Sequence, residues 1–164
     1  RCRLLLSELT QDTGETADLS VMRGAGMIFL DQVPGTHRLR TVSSVGEVFP
    51  LTTTANGQAC LARLPTVKAE RLIRDEWARR GIASDLSEFQ NRLAGIAKTG
   101  LAFDIDEHTP GISAIGIAFQ DLAGDLHAIS VPVPSMRFEA VRPVVEAALK
   151  TTARHIEAMV MVNA

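Results

Sequence analysis

Two β-rich hairpin patterns stand on either side of a block of helical periodicity, and this order constrains the fold more than any other feature of the chain. The first hairpin joins TADLSVMR to GMIFLDQV across Gly24-Ala25-Gly26. The second joins ISAIGIAFQD to DLHAISVPV across Leu122-Ala123-Gly124, after a strand at LAFDID. LRTVSSV, residues 39–45, reads as a further strand. Between the two halves, Ala55 to Arg63 predicts a helix, Pro65 opens a second towards Arg80, and Asp85 to Thr99 gives a third that Gly100 ends. Residues from Arg1 to about Gln11 suit an opening helix that packs Leu5, Leu6 and Leu9 and stops at Gly14. At the other end Val141, Val144, Val145, Ala148, Leu149, Thr152, Ile156, Met159 and Val160 fall at helical spacing, the mark of one long amphipathic helix. A sheet drawn from both halves, with helices against it, predicts a single antiparallel α+β domain. The regular strand-helix alternation and GxGxxG turn of a doubly wound nucleotide-binding sheet are absent.

Composition removes several classes of function. At 164 residues and 46% hydrophobic, the chain can bury a core of its own. A net charge of -2 with dispersed basic residues leaves no footprint for gripping DNA directly. With no Tyr and one Trp, there is no run of stacking aromatics on a basic strand for single-stranded nucleic acid. Cys2 and Cys60 are too few and too far apart for a disulfide framework or a zinc motif, which points to a reducing cytoplasm. The Leu4–Leu6 run is far too short to span a bilayer, so no membrane partner is expected.

Two segments carry the chemistry. FDIDEHTPG, Phe103 to Gly111, reads as a strand with Phe103 and Ile105 inward and Asp104 and Asp106 on the other face, broken at Pro110-Gly111. FPLTTTANGQA, Phe49 to Ala59, sets Pro50 and three threonines before a helix start whose first-turn N–H groups, at Ala55, Asn56 and Gly57, suit an anion. Together they predict a pocket for a small acidic molecule. Thr52, Thr53 and Thr54 also serve as plain helix caps, worth about 1 kcal/mol each. Asp104 is either a solvated strand residue or, if it lines an apolar pocket, a carboxyl of raised pKa able to read a hydroxyl or acid group. Ser130 shares a strand face with Pro132, while Ile129 and Val131 take the other.

Other chemistries fit less well. Asp104, Asp106, Glu107 and His108 crowd one short segment, whereas His37, His127 and His155 are scattered, so no metal is expected and Glu107 and His108 are read as fixing the turn before Gly111. Cys60 lies on the apolar side of its helix without a base, an inert core thiol, and Ser130 lacks a GxSxG elbow. No catalysis and no cofactor are expected. Two alternatives remain: a domain that converts the acid it binds, and a ligand-free interaction module that self-associates through the final helix and the N-terminal leucines.

Taken in order, TGETADLSV, IFLDQV, VGEVFPLTTTANGQACLA, KTGLAFDIDEHTPGISAIG and HAISVPVP before a final helix resemble the effector-binding domain of IclR-type transcription regulators over nearly the whole chain. Each piece is short, but five in this order with similar gaps are specific. The resemblance implies a GAF/profilin-like fold over residues 1–164. It further implies a homodimer or homotetramer, and contact with DNA only through a winged helix-turn-helix that precedes this domain and is not in the chain. It places the pocket around Phe49, Thr54, Ala55, Asn56, Asp104, Ile112, Ala114, Ser130 and Pro132. Ala114 stands where a cysteine is common, Pro132 where a second small polar residue is common, and Gln58 where a lysine often follows the helix glycine. These departures imply a larger, partly apolar or aromatic acid as effector, because fewer polar groups remain to replace the hydration of a two- or three-carbon acid.

Overall fold

The structure, a computed structural model, describes residues 2–163. The chain runs α1 (Cys2–Thr13), β1 (Ala17–Arg23), β2 (Gly26–Val33), β3 (Val48–Phe49), α2 (Ala55–Leu61), α3 (Thr66–Arg80), α4 (Leu86–Thr99), β4 (Ala102–Ile105), β5 (Ile112–Gln120), β6 (Leu126–Pro134), a 3-10 turn (Ser135–Arg137) and α5 (Phe138–Asn163). Six antiparallel strands form one sheet in the order β3-β2-β1-β6-β5-β4. The first hairpin and the second thus meet along β1 and β6, as strands contributed by both halves require. Arg1, the first residue of the expected opening helix, lies outside the described residues.

Both faces of the sheet are covered. On one side, α1 and α5 pack Leu5, Leu6, Leu9, Val145, Leu149 and Ile156 against Leu19, Ile115, Ile117, Ile129, Val131 and Val133. On the other, α2, α3 and α4 pack Leu61, Ile73, Trp77, Phe89, Leu93 and Ile96 over Met27, Ala102 and Ala128. Each of these larger side chains is less than one-tenth exposed, and full burial of such a side chain contributes about 1.5–3 kcal/mol. Helix ends follow the local signals. The Asp85 carboxylate accepts from the Glu88 amide at the start of α4, and Gly100, in the left-handed region, ends it. Gly81 does the same for α3.

Two expectations need correction. LRTVSSV is not a strand: residues 34–47 form an irregular connection, and the strand that pairs with β2 is the two-residue Val48–Phe49. This connection is tied down by side groups instead of a ladder. The Gly35 amide donates to Thr16 Oγ1, the Thr36 amide to the Gly14 carbonyl, and Arg137 to the Leu39 carbonyl. The second correction concerns β4, where Asp104 is 5% exposed and Ile105, expected inward, is 48% exposed. The cause is the cover on each face. Ala102 and Asp104 lie on the face under α2, whereas Ile105 shares the Phe103 face at the strand end; there Arg142 of α5 covers Phe103, its guanidinium 4.6 Å from the ring centre. The N-terminal leucines Leu5, Leu6 and Leu9 are likewise spent inside the fold and are not an outer surface.

Candidate functional site

Between the start of α2 and the sheet lies a cavity of about 330 Å³, and all nine residues singled out in the sequence line it. Strand pairing explains the convergence. Asp104 on β4 pairs with Ala114 on β5, Ala114 with Pro132 on β6, and Ser130 on β6 with Asp18 on β1, so their side chains share one sheet face. Ile112 adds an apolar edge, Phe49 closes one side from β3, and Thr54, Ala55 and Asn56 form the wall at the helix start.

That helix start is held tightly. Glu76 of α3 is fully buried; its carboxylate accepts the Leu51 amide at 2.6 Å and the Thr52 amide at 3.0 Å, together with the Thr52 hydroxyl. Arg80 reaches the same carboxylate at 3.3 Å and donates to the Thr53 hydroxyl at 3.1 Å. Thr54 caps α2, accepting from the Gly57 amide at 3.0 Å and donating to the Pro50 carbonyl at 2.8 Å. All three threonines are therefore structural, and Thr54 lines the cavity as well. Close approach decides the glycine at 57: a Cβ there would lie 2.3 Å from the Leu51 carbonyl oxygen. With Gly57 capped by Thr54, the amides of Ala55 and Asn56 are left without a partner among the described residues. The Asn56 side chain donates to Ser20 at 2.9 Å.

Electrostatically the cavity is acidic. Burial pushes the Asp104 carboxyl above the ordinary carboxylate range, against the pull of the Glu107 and His108 amides, which donate to its Oδ1 at 2.9 and 3.3 Å. Asp18, which the sequence reading passed over, is 7% exposed, and burial pushes it up to about 7 although Gln32 donates to its Oδ1 at 2.9 Å. Glu47 and His108 also line the cavity; among the described residues no Lys or Arg does. Thr109 and, from the connection between β2 and β3, Thr41, Val42 and Ser43 complete the lining; those three were missed for the same reason that the connection was misread as a strand.

The FDIDEHTPG segment divides its polar residues: Asp104, His108 and Thr109 line the cavity, and Asp106 and Glu107 do not. Asp104 faces the cavity, Asp106 accepts from the Gly111 amide and the Ser135 hydroxyl, Glu107 pairs with Arg92 at 2.9 Å, and the His108 ring sets its edge against Phe49. The turn before Gly111 is fixed by the carboxylates of Asp104 and Asp106, with Glu107 and His108 supplying backbone amides to the first. Among the described residues no cluster of His, Cys, Asp and Glu converges as metal ligands. Cys60 is fully buried, donates to the His127 carbonyl, and has its thiol pushed up to about 12 by burial, so it carries no thiolate at neutral pH. Among the described residues no helix is long and apolar enough to cross a membrane.

Comparison with known proteins extends this picture. The family model described as "Bacterial transcriptional regulator IclR C-terminal" matches residues 1–158. The chain is 40% identical over 135 residues to the HTH-type transcriptional regulator Rv1719 of Mycobacterium tuberculosis, covering 81% of this chain and 52% of that protein. It is 27% identical over 139 residues to the transcriptional repressor IclR of Escherichia coli, covering 81% and 51%. The chain thus spans about half the length of the curated relatives it matches. Among solved structures, the transcriptional regulator YaiJ superposes with a TM-score of 0.81 at 25% identity, over 96% of this chain and 92% of that one. An IclR-family transcriptional regulator from Brucella abortus superposes with a TM-score of 0.82 at 18% identity, over 96% and 61%, a likeness of fold alone. These relatives bear the names of regulators, in keeping with a regulatory and not a catalytic domain. A family match from end to end of the sheet and its flanking helices, on an antiparallel α+β fold of the GAF/profilin-like kind, shows that this chain belongs to the IclR family of bacterial transcriptional regulators, as its C-terminal domain.

Proposed function

We propose that this domain senses a small organic acid and mediates self-association, as a homodimer or homotetramer, for a regulator that reaches DNA through a winged helix-turn-helix preceding residue 1. The observation that carries the sensing role is the convergence of Phe49, Thr54, Ala55, Asn56, Asp104, Ile112, Ala114, Ser130 and Pro132, from β3, the α2 start, β4, β5 and β6, on one cavity. Its size, about 330 Å³, lies in the range of small-molecule sites. The Ala55 and Asn56 amides and the Ser130 hydroxyl supply hydrogen bonds, while Phe49, Ile112, Ala114 and Pro132 supply an apolar wall that favours a partly apolar or aromatic acid. Such a ligand changes operator affinity only if it binds two arrangements of the regulator unequally.

A thermal-shift screen against aliphatic and aromatic carboxylic acids tests the role directly. Ligand at about 100 times its dissociation constant adds about 2.7 kcal/mol of stability. A chemically related set of acids should raise the melting temperature, and the rise should vanish in Ala114→Leu, which fills the cavity from its β5 side. Failure of every acid to stabilise the protein refutes the organic-acid reading.

A further inference from the structure

The cavity poses a charge problem for any acid that enters it. Its lining includes the carboxyl groups of Asp18 from β1, Asp104 from β4 and Glu47 before β3, and among the described residues no ammonium or guanidinium group lines it with them. A carboxylate bound against Asp18, which is nearly withdrawn from water, faces like charge in a medium that screens it poorly. Two carboxylates in one such site do not both stay ionised; they share a proton. Resting on the organic-acid reading above, we propose that Asp18 is the residue that recognises the effector's carboxyl group, through a single proton held between the two, and that Asp18 thereby makes effector binding consume one proton.

Geometry selects Asp18 over Asp104. Asp104 Oδ1 accepts two backbone amides, which favour its ionised form. Asp18 accepts only the side-chain amide of Gln32, on Oδ1, and Ser130 stands directly opposite it in the β1–β6 pairing. Among the described residues no uncommitted cation neighbours Asp18: Arg3, which donates to the Gln32 carbonyl, is paired with Asp31. Gln32 of β2, Ser20 of its own strand and Ser130 of β6 are uncharged; Glu15, just before β1, is committed to Arg137 through bonds of 2.9 and 2.7 Å. From the connection between β2 and β3 come Thr41, Ser43 and Glu47, and from α2 comes Asn56. Among the described residues lining the cavity, His108 alone can carry a positive charge. Burial already holds the Asp18 carboxyl up to about 7, so the proton is available near neutrality and must be drawn from solvent at higher pH. The pair of carboxyls then titrates as a unit.

Isothermal titration of the protein with acetate, pyruvate, succinate, benzoate and phenylacetate, between pH 6 and 8.5 and in buffers of different ionisation enthalpy, tests the proposal. For whichever acid binds, uptake should approach one proton at pH 8, and affinity should fall about tenfold per pH unit above pH 7.5. Asp18→Asn, which keeps the shape and the Gln32 acceptor, should abolish both the uptake and the pH dependence; His108→Gln should leave the uptake in place. An acid that binds the wild-type protein without proton uptake overturns the assignment while leaving the sensor reading standing. Uptake that survives Asp18→Asn and disappears in His108→Gln moves the proton to His108 and overturns it equally. Binding of none of the acids at any pH removes the organic-acid reading and this inference with it.

Discussion

Replacing Asp18 with Asn should stabilise the unliganded domain, and by an amount that grows with pH. In the folded protein the Asp18 carboxyl is moved from an ordinary 3.8 to about 7, chiefly by burial. The native state therefore keeps a proton that the unfolded chain releases. The stability tied to that proton is fully present below pH 3.8 and is lost as pH rises towards and through 7. At about 1.36 kcal/mol per tenfold change in the proton equilibrium, the whole loss is about 4 kcal/mol, of which about 2 kcal/mol falls between pH 5.5 and 8. Asn keeps the acceptor for Gln32 and cannot ionise, so the gap between variant and wild type should widen by about 2 kcal/mol over that interval. Urea unfolding of both proteins at pH 5.5 and 8.0 measures it; with a slope of about 2 kcal/mol per molar urea, the midpoints should separate by about 1 M more at the higher pH. Taking the difference between the two proteins cancels the other titrating groups, Asp104 included. A gap of the same size at both pH values would show that Asp18 is ionised and solvated in the folded state, and would refute the buried-carboxyl reasoning.

Two further outcomes follow from contacts on the same wall. Gly57→Ala drives a methyl to 2.3 Å from the Leu51 carbonyl oxygen, in a stretch of backbone whose Leu51 and Thr52 amides are held by Glu76, so it should destabilise the domain by about 2 kcal/mol or more, with a lower urea midpoint as the readout. Arg137→Ala leaves the Glu15 carboxylate, 1% exposed, without its two-pronged partner; the expected cost is about 3–5 kcal/mol, seen in the same melts, with the connection between β2 and β3 becoming easier to cleave by protease.

Element boundaries were legible wherever a cap or stop residue marked them. Asp85 and Gly100 enclose α4, and Gly24-Ala25-Gly26 turns the first hairpin. The pocket was legible only through ordered short motifs, since nothing in the spacing of Phe49, Asp104 and Ser130 says that they meet. What stayed hidden has one physical origin. Period-2 alternation reports which side chains share a sheet face but not what covers that face. Asp18 and Ser20, alternating with Ala17, Leu19 and Val21, look like a solvated edge of an ordinary half-buried strand; α2, packed over β4, β5 and β6, turns that face into a cavity wall. The same ambiguity put Ile105 inside and left two readings open for Asp104, solvated or lining a pocket. Residues 39–45 failed for a different reason: Thr41, Val42 and Val45 give the stretch β-branched, strand-like composition, yet Leu39, Val42 and Val45 are 56%, 80% and 73% exposed and the stretch pairs with no strand.

The division of labour around the cavity bears on how such a domain changes its ligand over generations. Its floor is fixed by strand register and its back wall by the Glu76-anchored entry to α2, so substitutions there carry folding penalties. Its roof is the connection between β2 and β3, gripped near one end by Thr16, the Gly14 carbonyl and Arg137 and at the other by the pairing of Phe29 with Glu47. Between those grips the span carrying Thr41, Val42 and Ser43 is free to vary in length and composition without disturbing the sheet. New specificities are therefore most cheaply reached by exchanging that span, in evolution or by grafting in the laboratory, on a scaffold left untouched.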